Sequence, residues 1–174
     1  MKLGNATAVL LLGASASLLA TGAEAAHPAA GDPALQMIAP GPGAGEVRMA
    51  LGGAARRLAR PACARVFADF ADASGRPLQE RLDRLGLTGA GYLALVFFAE
   101  GLDRGRCQQD QVLATATPGR RVVSVCGRFA RAYLHDPRWA ELTLIHEALH
   151  TLGLGEDPPS TFDISARVAG RCGR

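Results

Sequence analysis

The sequence predicts a small α+β domain, in which a short antiparallel or mixed sheet packs against several helices. Three patterns predict this class. The apolar run 93–99 is typical of a buried strand, segments 111–117 and 120–125 suit two paired strands, and apolar residues at helical spacing fill 139–152. The chain has 174 residues, of which 48% are hydrophobic and 20% are charged. This composition supports one domain with its own core and excludes a disordered protein.

The N-terminus has the features of a secretory signal. Lys2 supplies a positive charge, residues 6–20 carry no charge, and Ala23-Glu24-Ala25 is a small-x-small cleavage site. The uncharged run is shorter than the ~20 apolar residues that a membrane span requires. We therefore expect residues 1–25 to be a signal peptide, with no stable membrane insertion after cleavage. An uncleaved anchor helix is the alternative.

The prolines that follow predict a linker before the folded domain. Residues 26–45 contain four prolines and no periodic pattern, which indicates a flexible linker, and the domain is expected over 46–174. In that domain, 46–70 suits one or two helices interrupted near Arg60-Pro61. Leucines at helical spacing predict another helix over 78–85, and Thr88 can cap a short turn of helix after it.

The middle of the chain predicts the sheet. Residues 93–99 are expected to form a buried strand, and 111–117 with 120–125 to form a hairpin that turns at Pro118-Gly119. The segment 127–138 is expected to be a connection without regular structure. The sheet therefore precedes the helical C-terminal part of the chain.

The strongest helix pattern covers 139–152, and Pro137 suits its first turn. A last helix is expected over 162–172, with Ser160 or Thr161 as its N-cap. Both helices are expected to pack against the sheet.

Four cysteines remain after the predicted cleavage. An even number in an exported chain predicts two disulfides and an oxidising, secreted or periplasmic location, and the absence of C-x-x-C disfavours a four-thiolate zinc site. Three pairings are possible. We favour Cys107–Cys126, at the base of the hairpin, and Cys63–Cys172, which would tie the C-terminal segment to an early helix.

One stretch of the strongest helix carries metal chemistry. His146 and His150 are four residues apart, so they share a helical face and both imidazoles can reach one ion, for which Zn²⁺ is the expected metal. Glu147 lies roughly 100° around the helix from His146. This offset keeps the carboxylate from binding the ion but places it over the open coordination position, where it can accept a proton from a water.

A third protein ligand is expected just after this helix. The helix is expected to end at Gly153, where the chain can reverse, and Glu156 follows ten residues after His146. We expect Glu156 to be this ligand, since a carboxylate at that offset after a glycine turn can reach back to the ion. The adjacent Asp157 is the alternative.

Residues 146–156, HEALHTLGLGE, resemble the extended zinc motif of the zincin metallopeptidases, and more narrowly the metzincin pattern H-E-x-x-H-x-x-G-x-x-(H/D/E). The resemblance implies a zincin-like fold in which Glu147 is the general base and Gly153 turns the chain. It also implies three zinc ligands: His146, His150 and Glu156. The flanking AELTLI and DPPS resemble a small family of exported bacterial proteins of unassigned activity.

Two features depart from the metzincins. The third ligand is Glu156 where metzincins have His or Asp, and no methionine follows Met49, so a Met-turn is absent. The resemblance covers eleven residues. A zincin-like fold with strands before the motif helix is compatible with both departures.

These patterns predict an exported zinc-dependent metallopeptidase, a monomer that acts on a peptide or protein. The alternatives are a non-catalytic, disulfide-stabilised zinc domain that binds an envelope partner, and a structural domain in which the motif occurs by chance. Nucleic-acid binding is not expected, since the net charge is only +3 and acidic residues are interspersed among the arginines. His135 is expected to be an exposed loop histidine; a role as substitute ligand, like a role for Tyr133 in binding an oxyanion, is a secondary hypothesis.

Overall fold

A computed structural model gives the structure of the chain and describes residues 39, 41–101 and 105–174. The predicted signal peptide and, in the predicted linker, residues 26–38 and 40 lie outside the described residues. The remaining part of that linker already includes structure, because the first helix begins at Ala44, two residues before the expected start of the domain.

Seven α-helices and three short strands make up the regular structure of the described ranges, which confirms the α+β class. The helices are α1 Ala44–Leu58, α2 Pro61–Ala64, α3 Leu78–Leu85, α4 Gly89–Leu93, α5 Phe129–His135, α6 Pro137–Thr151 and α7 Thr161–Cys172. The strands are β1 Phe97–Gly101, β2 Ala114–Ala116 and β3 Val122–Cys126. Two 3₁₀ turns complete the set, Arg65–Ala68 after α2 and Gly105–Gln108 before β2.

The sheet is mixed and has the order β1-β3-β2. β1 runs parallel to β3, with Phe97 opposite Val122, and β2 runs antiparallel to β3, with Thr115 opposite Ser124. The expected hairpin of β2 and β3 is confirmed, with shorter strands. Its turn is tied to the motif helix, because the backbone N–H of Gly119 donates to the carbonyl of His150 over 2.9 Å.

Two expectations about elements were wrong. The strand expected over 93–99 begins only at Phe97, because Leu93 ends helix α4, whose first turn is capped by the Thr88 hydroxyl. The segment 127–138 is not an irregular connection, since it contains α5. Only Phe129 of α5 is fully buried, so seven residues carry no apolar stripe that a sequence pattern can reveal.

The core is built around α6, against which α1, α5 and α7 all pack. Leu144, Ile145 and Leu149 of α6 are fully buried, and so are Leu51 and Leu58 of α1. Helix α6 also buries polar side chains, among them both motif histidines. A buried helix that carries polar groups needs partners for each of them, which the neighbouring elements supply.

Helix α7 is fixed at both ends. Ser160 and Asp163 form a capping box at its start, which makes Ser160, rather than Thr161, the N-cap. At its end, Arg171 donates two hydrogen bonds of 2.7 Å to Asp69.

Both favoured disulfides are confirmed. Cys172 at the end of α7 pairs with Cys63 of α2, and Cys107 pairs with Cys126 at the end of β3. Both bridges are buried, and the first joins the C-terminal helix to the start of the domain. None of the described helices is long and apolar enough to cross a membrane.

Candidate metal centre

The two motif histidines meet side by side on α6. His146 and His150 are buried, and their Nε2 atoms lie 3.0 Å apart, as the i, i+4 spacing predicts. Each ring is held from behind through Nδ1. His150 bonds the carbonyl of Leu154 over 2.8 Å, and His146 bonds the hydroxyl of Ser165 over 3.1 Å. Both Nε2 atoms therefore face the same point.

The turn after α6 brings a carboxylate to this point. Gly153 adopts φ 107°, a left-handed conformation that favours glycine, and the chain reverses there. Oε1 of Glu156 then lies 3.5 Å from Nε2 of His150. Ligand atoms of His146, His150 and Glu156 all lie within 4.8 Å of one another. Asp157 does not belong to this group, and its side chain is exposed.

Both oxygens of Glu156 have a hydrogen-bond donor. Thr161 donates to Oε1 over 2.7 Å, and Arg106 donates to Oε2 over 2.9 Å. Although burial opposes ionisation, the hydrogen bonds from Arg106 and Thr161 hold the pKa of Glu156 below its ordinary value. The carboxylate is therefore ionised at neutral pH, the form that binds a metal.

The donor set fits a zinc ion. Zinc bonds of about 2.0–2.1 Å in a tetrahedral arrangement place neighbouring ligand atoms roughly 3.3–3.4 Å apart. The 3.0 Å between the two Nε2 atoms and the 3.5 Å from His150 to Glu156 are close to that spacing. Burial and the adjacent His150 lower the pKa of His146 to about 4, so its imidazole is neutral at pH 7. Two imidazoles and one carboxylate leave a fourth position open.

Glu147 lies beside the three candidate ligands rather than among them. Its side chain is buried, and burial raises its pKa to about 8, with a further contribution from the charge of Glu156. The backbone N–H of Ala116 and the charge of Arg106 act against this rise. Glu147 can therefore exchange a proton near neutral pH, the property that a general base or acid needs.

A cleft of about 580 Å³ opens over these residues. Helix α6 contributes Trp139 and Leu142 to its apolar side, and α7 contributes Val168 and Ala169. Arg106 and the residues of β2 also line the cleft. The cleft thus combines an apolar wall, a strand and the metal-binding group.

Strand β2 is the edge strand on the cleft side of the sheet. The N–H of Cys126 donates to the carbonyl of Leu113, so alternation along β2 turns the backbone of Thr115 towards β3 as well. The backbone groups of Ala114 and Ala116 consequently point away from β3, at the edge that no other described strand covers.

The secondary candidates take no part in this group. His135 ends α5 with an exposed side chain, and Tyr133 is partly buried against the core. Sequence reasoning missed Arg106 and Ser165, and it considered Thr161 only as a cap. Their partners lie 50, 19 and 5 residues away along the chain, and no sequence spacing signals these contacts.

Comparisons of this chain with protein-family models, with curated proteins and with solved structures gave no match. The resemblance of residues 146–156 to the zincin motif therefore stays a prediction. The geometry and chemistry of the candidate metal centre are therefore the basis on which a function can be inferred.

Proposed function

We propose that this chain is an exported zinc-dependent metallopeptidase. The observation that carries the proposal is the convergence of His146, His150 and Glu156, whose ligand atoms lie within 4.8 Å of one another in a cleft. Glu147 adds the one further group that water-mediated hydrolysis requires, a buried carboxylate next to the ion site.

The residues divide the chemistry among them. The two histidines and Glu156 hold the ion, which when bound supplies Lewis-acid polarisation of a carbonyl and of a water. Beside a bound cation the carboxylate of Glu147 would be ionised, because a nearby positive charge favours the charged form. Glu147 then accepts the proton of the attacking water and delivers it to the nitrogen of the leaving amine.

The cleft suits an extended peptide. An unpaired strand edge can bind a substrate backbone by adding it as a further strand. At this edge Ala114 offers its N–H and C=O groups and Ala116 offers its C=O group, since the N–H of Ala116 faces Glu147. The apolar wall around Trp139 and Leu142 can then contact a substrate side chain. A peptide or protein is therefore the substrate class that we propose.

The two disulfides are compatible with an extracellular location. Together with the N-terminal signal features, they support secretion or a periplasmic location. Expression of the full chain in a bacterium that has a periplasm is expected to yield an exported product that begins after Ala25. Intact-mass measurement of a product that retains residues 1–25 would contradict this part of the proposal.

A Glu147→Gln variant tests the peptidase mechanism. Metal analysis first confirms one zinc per chain in both proteins. We then expect the wild type to cleave a peptide library and Glu147→Gln to cleave it about 100-fold or more slowly, since general-base catalysis contributes a factor of ~10²–10⁴ to the rate. Glu80→Gln, the same change at an exposed position of α3, serves as the matched control and should retain the activity.

Each other result has a definite meaning. A wild type that binds no zinc contradicts both the metal site and the peptidase activity that we propose. Equal rates for the wild type and Glu147→Gln reject the mechanism. Zinc without cleavage in either form favours the alternative, a non-catalytic zinc domain that binds a partner.

A further inference from the structure

Helix α7 presents two hydroxyl groups to the candidate metal centre. Thr161 and Ser165 are four residues apart, so they share the face of α7 that lines the cleft. Each bonds a different ligand, Thr161 to Oε1 of Glu156 over 2.7 Å and Ser165 to Nδ1 of His146 over 3.1 Å. These ligands belong to different elements, since His146 lies on α6 and Glu156 lies on the turn that follows it.

We propose that Thr161 and Ser165 are positioning residues, which hold Glu156 and His146 in the arrangement that binds the metal. The inference rests on the zinc-binding part of the proposed function and is independent of peptide cleavage. Partners that orient a metal ligand in this way typically change metal affinity 10–100-fold.

Ser165 acts through the proton of His146. The carbonyl of Leu154 can only accept, so His150 carries its proton on Nδ1 and keeps the lone pair of Nε2. For both histidines to bind one ion, His146 must likewise carry its proton on Nδ1. The hydroxyl of Ser165 lies at that atom and can accept a hydrogen bond from this N–H, which an alanine methyl group cannot.

Thr161 acts on a ligand that has no helix to hold it. Glu156 lies on the turn after Gly153, and its second donor, Arg106, is a long side chain that is 62% exposed. Thr161 is short and belongs to the first turn of α7. Its hydroxyl bonds Oε1, the oxygen that approaches Nε2 of His150, and a carboxylate oxygen has lone pairs for both a hydrogen bond and a metal.

The two hydroxyls are fixed relative to α6 because α7 is anchored along its length. Ile164 and Val168 are buried against the core on the inner side of the helix. The Cys63–Cys172 disulfide and the ion pair of Arg171 with Asp69 hold its C-terminal end. Helix α7 can therefore transmit a fixed position to both ligands.

Zinc affinity of the full chain tests the inference. Zinc affinity is measured by competition with a chelator. We expect 10–100-fold weaker binding for Thr161→Val and for Ser165→Ala. The variants Thr161→Ser and Ser165→Thr keep the hydroxyl, so their affinities should stay within about threefold of the wild type. Thr143→Val is the matched control, because the Thr143 hydroxyl also borders the cleft but bonds only the carbonyl of Trp139 in its own helix.

A second readout separates positioning from folding. The thermal midpoints of the chelator-treated variants should match that of the wild type, and the visible spectrum of cobalt-loaded Ser165→Ala should differ from that of cobalt-loaded wild type. Unchanged zinc affinity in Thr161→Val and Ser165→Ala overturns the inference and leaves the proposed function intact. The inference is also overturned if Thr161→Ser and Ser165→Thr lose as much zinc affinity as Thr161→Val and Ser165→Ala do. A wild type that binds no zinc overturns both proposals.

Discussion

The two motif histidines are oriented by different kinds of partner. His150 donates to the main-chain carbonyl of Leu154, an acceptor that is present whatever side chain stands at position 154. His146 depends on the side chain of Ser165, which comes from another helix. A substitution at position 165 can therefore change the orientation of the His146 ring, whereas the partner of His150 belongs to the main chain.

The choice between Glu156 and Asp157 as third ligand gives a direct prediction. Glu156→Ala should weaken zinc binding by about 100-fold or more, since loss of a ligand costs at least as much as loss of a ligand's partner. Asp157→Ala should change it little, because that side chain is exposed and outside the ligand group. Chelator competition measures both, and the reverse order of effects would move the third ligand to Asp157.

The raised pKa of Glu147 predicts how stability depends on pH when the metal is removed. The pKa is 4.5 in the unfolded chain and about 8 in the folded one, so the folded state binds more protons between these values. The free energy of unfolding of the wild type should therefore fall relative to that of Glu147→Gln as the pH rises from about 4.5 to about 8.

Urea unfolding in excess chelator, at a series of pH values, measures this difference. Across this range we expect the free energy of unfolding of the wild type to fall by a few kcal/mol relative to that of Glu147→Gln, since each unit of pKa shift corresponds to about 1.4 kcal/mol. Below pH 4.5 the difference should be constant, because Glu147 is protonated in both states. Parallel curves for the two proteins from pH 4 to pH 9 would show that burial does not perturb this carboxyl group.

Among the elements, the short helix α4 depends on a close approach that only glycine allows. A Cβ on Gly89 would overlap the ring of Phe67, which is fully buried, whereas a Cβ on Gly91 would meet only Thr88 and Leu87 at ordinary contact distances of 3.4 and 3.6 Å. Gly89→Ala should therefore destabilise the protein by about 1–3 kcal/mol, as overpacking of a core does.

Gly91→Ala is the matched substitution in the same helix. It should be neutral or stabilise the protein by up to about 1 kcal/mol, because alanine favours a helix over glycine. Chemical denaturation of both variants checks the pair. Similar effects at the two positions would mean that α4 does not pack against Phe67 in this way.

The elements that the sequence predicted are those with a strong periodic or turn signal. Helix α6 has an apolar repeat over four turns, α7 has a capping box, and the hairpin has Pro118-Gly119. Helices α4 and α5 are too short for periodicity. At α4 the only signal in the sequence was Thr88 as the cap of a short turn of helix, which is confirmed, and at α5 there was none. Both helices depend on tertiary burial, of Tyr92 and Leu93 in α4 and of Phe129 in α5.

The residues of the candidate metal centre likewise include some that the sequence predicted and some that it did not. Its three candidate ligands fall within eleven consecutive residues, where helical spacing and one glycine determine their geometry, so the sequence predicted them. Arg106, Thr161 and Ser165 reach the site through the packing of other elements. Spacing along the chain contains no information about such contacts, which only the fold reveals.

At the scale of the whole molecule, the two disulfides close loops of very different length. Cys63 and Cys172 are separated by 109 residues, and Cys107 and Cys126 by 19. Loop-closure entropy then predicts a loss of about 5 kcal/mol for Cys63→Ala with Cys172→Ala, against about 3 kcal/mol for Cys107→Ala with Cys126→Ala.

Guanidinium unfolding of the two double variants measures this order. All four cysteines are at most 3% exposed, so the cavities left by the alanines contribute similarly to both, and the difference reports the loop. If removing the Cys63–Cys172 bridge lowers the free energy of unfolding less than removing the Cys107–Cys126 bridge, the unfolded chain already holds the segments around Cys63 and Cys172 together.

The bridge between Cys63 and Cys172 also determines how the molecule responds to a mechanical load. A pulling force applied to the chain outside these two residues passes directly across the bond between their sulfur atoms, so residues 64–171 are shielded from tension. Only the chain outside this loop can lengthen under force, by up to about 3.5 Å for each residue released. His146, His150 and Glu156 lie inside the loop and bear none of that force.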